Sequence, residues 1–196
     1  MGLVTLPISS LDESPYSFVV NLETGAWTKY TGWDARCVAI FNDRLYFGTT
    51  SGTVVEGETG GSDQGSPFTA QLVYHADHLD SPGITKTVKA ARTTFLASRP
   101  FLPRVSVSTN YKVVLPVAPN AVEDTDLEGW DAGTWDNALW DATAAPSSIS
   151  TQWRSIGRTG YAINVQVQVT SANLAARDCE LVSVDLLYER GAAVMV

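Results

Sequence analysis

The run Ile163-Asn164-Val165-Gln166-Val167-Gln168-Val169-Thr170 alternates apolar and polar side chains without a break. A strand sends successive side chains to opposite faces, so it sets the branched residues on one side and the amides on the other. A helix would scatter both kinds around its axis. The strand is expected to span residues 161–170. Period-two alternation recurs along the chain, helical spacing is scarce, and 15 Gly, nine Pro and six Trp favour short strands and turns. The expected class is therefore all-β.

Further strands are expected at residues 16–21 and 26–30, joined by Leu22-Glu23-Thr24-Gly25, where Gly25 supplies a positive φ. The next lie at 37–41 and 44–49 around the turn Asn42-Asp43, and at 53–56 after the turn Ser51-Gly52. Strand and turn at this spacing form an antiparallel meander like one blade of a β-propeller. Residues 56–67 carry four glycines and no large apolar side chain, so the chain is expected to divide near 57–66. A propeller-blade-like meander over 1–60 then precedes an antiparallel β-sandwich over 66–196. In the sandwich, strands are expected at 69–74, 85–96, 104–109 and 113–115, with 181–188 as the partner of 161–170. Thr87, Lys89, Ala91 and Thr93 are read as sharing one face, and each sheet as having one buried and one wet side.

Thirteen basic against 21 acidic residues give a net charge of −8, which opposes the attraction to phosphate behind most nucleic-acid binding. Cys37 and Cys179 fit neither a metal nor a redox spacing and are expected as small residues of a reduced core. The first ten residues lack the basic start and long apolar stretch of a signal peptide, and no apolar run is long enough for a membrane helix.

His75 and His78 lie with Asp77 and Asp80 in one short segment, residue types that could bind zinc or move protons. In a strand the two histidines face opposite sides, so they are read as a solvated strand end entering the turn Ser81-Pro82-Gly83. Residues 57–65 are glycine-rich but lack the Gly-Lys-Ser/Thr ending of a phosphate loop, and Ser62 is not at a nucleophile elbow. No catalytic residues, no metal site and no cofactor are expected, and the chain is read as no enzyme.

The most specific feature is a Trp-Asp dipeptide repeated at intervals of five: Trp130-Asp131, Trp135-Asp136 and Trp140-Asp141. Five matches neither the strand nor the helix period. Each Asp suits a turn in which it accepts backbone N–H groups, and each Trp supplies roughly 150–250 Å² of largely apolar surface. The six residues are read either as a loop folded onto its own sandwich or as a contact between subunits. An alternative is a carbohydrate-binding module or receptor-binding adhesin that stacks sugar rings on the tryptophans.

Several pieces, taken in order, resemble the C-terminal part of the tail nozzle or hub proteins of short-tailed bacteriophages, a group that includes packaged-DNA stabilisation proteins. They are Gly25-Ala26-Trp27-Thr28-Lys29-Tyr30-Thr31-Gly32-Trp33-Asp34-Ala35-Arg36-Cys37, Phe41-Asn42-Asp43-Arg44-Leu45-Tyr46-Phe47-Gly48-Thr49, Ser81-Pro82-Gly83, the Trp-Asp repeat, and Asp185-Leu186-Leu187-Tyr188-Glu189-Arg190-Gly191. The resemblance implies a structural virion protein in the tail, assembled in the host bacterial cytoplasm as a homo-oligomeric ring, a hexamer, around the DNA exit channel. Its implied neighbours are other copies of itself and tail proteins such as an adaptor, fibres or spikes. DNA would pass without specific binding, and no membrane-spanning segment is implied.

Overall fold

The computed structural model describes residues 2–5, 16–97, 101–121, 147–150, 152–171 and 179–193, and among these every helix or strand is a strand. The chain is all-β and its strands pair antiparallel. It divides into two compact units, Met1–Thr59 and Gly60–Val196.

The first unit holds β1 (Gly2–Thr5), β2 (Tyr16–Val20), β3 (Trp27–Thr31), β4 (Cys37–Phe41), β5 (Arg44–Gly48) and β6 (Val54–Gly57). They form two three-stranded meanders, β1-β2-β3 and β4-β5-β6. The β2–β3 turn is built by Asn21, whose Oδ1 accepts the N–H of Glu23 at 2.9 Å, and by Gly25 at φ 71°. Between β4 and β5, Asn42 and Asp43 both have positive φ, 54° and 60°. That is the type I′ geometry whose twist matches a two-residue hairpin, and Asn and Asp tolerate it better than other side chains. Trp33, between β3 and β4, stands edge-on to Tyr30 at 5.0 Å and stacks on Phe47 at 4.9 Å. Gly57 leaves room for this ring, since a Cβ there would come within 3.3 Å of it.

The second unit holds β7 (Thr69–Val73), β8 (Ile84–Ala97), β9 (Arg104–Thr109), β10 (Ser147–Ser150), β11 (Arg154–Gly160), β12 (Ile163–Thr170) and β13 (Cys179–Ala193). In one sheet β8 is central, with β10 and β11 end to end along one edge and β13 along the other. In the other, β12 lies between β7 and β9. The sheets pack face to face, since one buried cluster joins Val88 and Ala91 of β8 to Val105 and Val107 of β9 and Ile163 and Val165 of β12. A second joins Phe95 and Ala97 to Phe101 and Val167, with the two phenyl rings edge to face at 4.9 Å. Each valine, isoleucine or phenylalanine among them contributes roughly 1.5–3 kcal/mol by leaving water. The arrangement is sandwich-like.

Several expectations are corrected. Strand β12 does not pair with residues 181–188. β13 pairs with β8 instead, matching 15 residues to 14, while β12 takes β7 and β9. Nor is the outer face of β12 wet: Asn164, Gln166 and Gln168 are buried, as are the inward Val165 and Val167. Residues 113–115 are not a strand but part of an extended segment that covers that face. Thr87 and Lys89 do not share a face with Ala91 and Thr93. The β8–β13 register slips between Val88 and Ala90, where Leu187 and Tyr188 oppose them, so Lys89 is an extra residue and the buried side changes from even to odd numbers. Both cysteines are exposed, rather than residues of a reduced core. Every residue of β4 is exposed, and Cys179 lines a cleft of the second unit.

Candidate interaction surfaces

Trp130, Asp131, Trp135, Asp136, Trp140 and Asp141 lie outside the described residues. The sites that can be built from side chains are the histidine segment, the polar face of β12, one apolar cleft and the uncovered strand surfaces.

The histidine segment follows β7 and is tied to the start of β12, where Asp77 and Ile163 exchange backbone hydrogen bonds of 2.9 and 2.8 Å. Asp77 Oδ1 accepts the N–H of Leu79 at 2.8 Å and turns the chain; Leu79 and Asp80 take up left-handed backbone conformations there. This turn places His78 between two partners. Its Nδ1 lies 3.2 Å from the carbonyl oxygen of Tyr161, and its Nε2 lies 2.9 Å from the hydroxyl of Tyr111. Lys86, fully buried on the inward side of β8, donates from Nζ to the Ser81 carbonyl and, at 3.1 Å, to the same Tyr161 carbonyl. Both ring nitrogens of His78 are thus used within the protein, and His75 is exposed. The expectation of a solvated strand end is corrected for His78. Among the described residues no three His, Cys, Asp or Glu side chains converge as metal ligands do. The arrangement is a clasp that joins the 77–82 turn, the turn after β9 and the β11–β12 turn.

Sequence reasoning missed Lys86, Tyr111 and Tyr161. For Lys86 a signal was present, since it shares alternation with Val88, and a cation on an apolar face needs internal acceptors. The two tyrosines carry no such pattern, because long-range turn packing brings them to His78.

On the outer face of β12, Gln166 accepts from Ser106 Oγ at 2.9 Å through Oε1 and donates to Ser108 Oγ through Nε2. Ser108 Oγ in turn accepts the N–H of Val114 at 2.9 Å, and Thr170 Oγ1 donates to the Pro119 carbonyl at 2.7 Å. The prolines at 116 and 119 have no N–H and suit an extended strap that offers carbonyls to side chains instead of joining a sheet. Among the described residues, Asn164 Oδ1 and Gln168 Oε1 are buried with no protein donor.

A cleft of about 440 Å³ opens at the end of the second unit, lined mainly by Phe68, Leu72, Phe95, Phe101, Val167 and Leu181. Cys179 sits at its wall, and desolvation there raises the thiol above its usual pKa. Such a thiol is less ionised at neutral pH.

Apolar side chains also lie bare on strands. Leu72 and Val73 of β7 and the flanking Phe68 and Tyr74 are exposed, as are Val38, Ile40 and Phe41 of β4, with Ile40 at 78%. Soluble monomers seldom leave such rows uncovered. Among the described residues no helix is long and apolar enough to cross a membrane. No family model matches the chain, and neither the curated proteins nor the solved structures yield a match.

Proposed function

We propose that the chain is a structural protein of a bacteriophage tail, a nozzle, hub or head-to-tail ring component that forms part of the DNA exit channel. One structural observation supports this reading most: both units are all-β and expose apolar strand residues, Val38, Ile40 and Phe41 in the first and Leu72 and Val73 in the second. Surfaces of that kind belong to a subunit of an assembly more than to a free-standing module. The ordered pieces that resemble tail nozzle proteins name the assembly. A net charge of −8 suits a channel through which DNA must slide, because an acidic wall repels phosphate. The role is mechanical, in the virion, with no catalytic residues and no cofactor.

Negative-stain images of the purified chain test the proposal. Closed rings with a central channel are expected, and hexamers by the resemblance. Single substitutions Trp130→Ala, Trp135→Ala and Trp140→Ala extend the test to the Trp-Asp repeat: at least one is expected to weaken ring association by about 2 kcal/mol, the effect of an interface anchor. A chain that stays monomeric at every concentration, or three variants that assemble like the parent, would count against the ring and the repeat respectively.

A further inference from the structure

We infer that the outer face of β12 holds two internal water sites beneath the strap formed by residues 113–119, one on Oε1 of Gln168 and one on Oδ1 of Asn164. These sites are independent of the tail reading, because they follow from how the chain closes over its own polar face.

Gln168 is 1% exposed and Asn164 6%, and among the described residues each has an amide oxygen with no donor. Buried polar groups in native folds are paired, either with protein or with ordered water. The other half of each amide is only loosely held. Gln168 Nε2 reaches the Pro116 carbonyl at 3.4 Å, and Asn164 Nδ2 reaches the Tyr74 carbonyl at 3.5 Å, both long for an N–H···O bond.

Gln166, between them on the same face, shows what direct pairing requires. Its oxygen accepts from Ser106, which stands opposite it in β9, and its nitrogen donates to Ser108. Neither neighbour has such a donor. Opposite Asn164 stands Ser108, whose hydroxyl proton goes to the Val114 carbonyl at 3.3 Å. Opposite Gln168 stands Arg104 in β9, whose Nη1 donates to the Val117 carbonyl, and the exposed Gln71 in β7. Above Gln168 the strap presents Pro116, which has no N–H.

Chemistry selects the occupant. Each orphan oxygen belongs to an amide that lies beside a backbone carbonyl, so the space between has two acceptors and needs a small donor of two protons. All four groups are uncharged, and a neutral water satisfies them by donating to both acceptors of a site. The strap is then joined to the sheet directly at Ser108, Arg104 and Thr170 and through water at Gln168.

Two measurements test this. A high-resolution crystal structure of the parent is expected to show ordered water within hydrogen-bond distance of both oxygens. Oxygen-17 relaxation dispersion counts waters that stay in a protein longer than it takes to tumble. Gln168→Met and Asn164→Leu keep bulk but remove the acceptor, and each is expected to lower that count by one relative to the parent. A protein donor on either oxygen, a dry site at either, or an unchanged count in folded variants overturns the assignment; should a variant not fold, the parent crystal structure decides.

Discussion

The hydroxyl of Tyr111 donates to Nε2 of His78 at 2.9 Å, and this direction is fixed by the other side of the ring. Nδ1 faces the carbonyl of Tyr161 at 3.2 Å, and a carbonyl only accepts, so Nδ1 carries the proton and the Nε2 of the neutral ring is the acceptor. His78→Ala removes both bonds at once. It is expected to cost about 1–2 kcal/mol in urea unfolding, softened because Lys86 still donates to the Tyr161 carbonyl. His75→Ala, at an exposed position, is expected to stay within about 0.5 kcal/mol. Equal effects from the two would refute the clasp.

Gly160, at the end of β11, is packed for the absence of a side chain. A Cβ there would stand 2.6 Å from Cβ of Thr109 and 2.8 Å from Oδ1 of Asn110. The Thr109 atom sits directly on the backbone and cannot swing away, so the strands must part. Gly160→Ala is expected to destabilise the second unit by about 1–3 kcal/mol, whereas a melting temperature at or above that of the parent would show that the contact yields.

Gln166 is fully buried between Ser106 and Ser108. In Gln166→Glu the ionised carboxylate lacks the donor that bonded Ser108, and desolvation raises its folded pKa above the unfolded value near 4.3. The folded state then holds the proton more tightly, so stability is greatest below that value and is lost as pH rises through the folded pKa. Chemical denaturation of the variant is expected to show a loss of about 2 kcal/mol or more against the parent at neutral pH, and much less at about pH 4. A loss that does not vary with pH would place residue 166 in contact with water.

Tyr30 has its pKa raised, first by desolvation and then by the nearby charge and hydrogen bond of Glu58. A raised folded pKa contributes stability below the unfolded value, near 10, and that contribution fades as pH climbs through the folded value. Tyr30→Phe, which keeps the ring against Trp33, is expected to flatten the alkaline side of the stability profile. Melting curves of parent and variant between neutral pH and about pH 11 check this, and parallel profiles would show that Tyr30 does not report the change.

The class of fold was legible in the residues themselves. Strict alternation in residues 163–170, the Asn42-Asp43 pair and the glycine-rich stretch before Phe68 each act over a few residues, and local backbone geometry answers to such short-range preferences. Pairing was not legible in the same way. Alternation states that β12 has two faces, but the identity of its neighbours depended on matching the lengths of β8 and β13 and on two sheets closing over shared apolar residues. For the same reason the amides of β12 read as solvent-facing, although a strap more than fifty residues earlier in the chain covers them. Of the candidate sites, His78 was visible as a residue type, while its clasp with Tyr111, Tyr161 and Lys86 exists only because three turns meet. Sequence thus indicated most of the strands and the turns between them, but it placed one at 113–115 that is absent and did not mark β1, β10 or β11. Tertiary structure decided which side chains leave water and which strands pair, because burial and pairing depend on contacts between residues far apart in the chain.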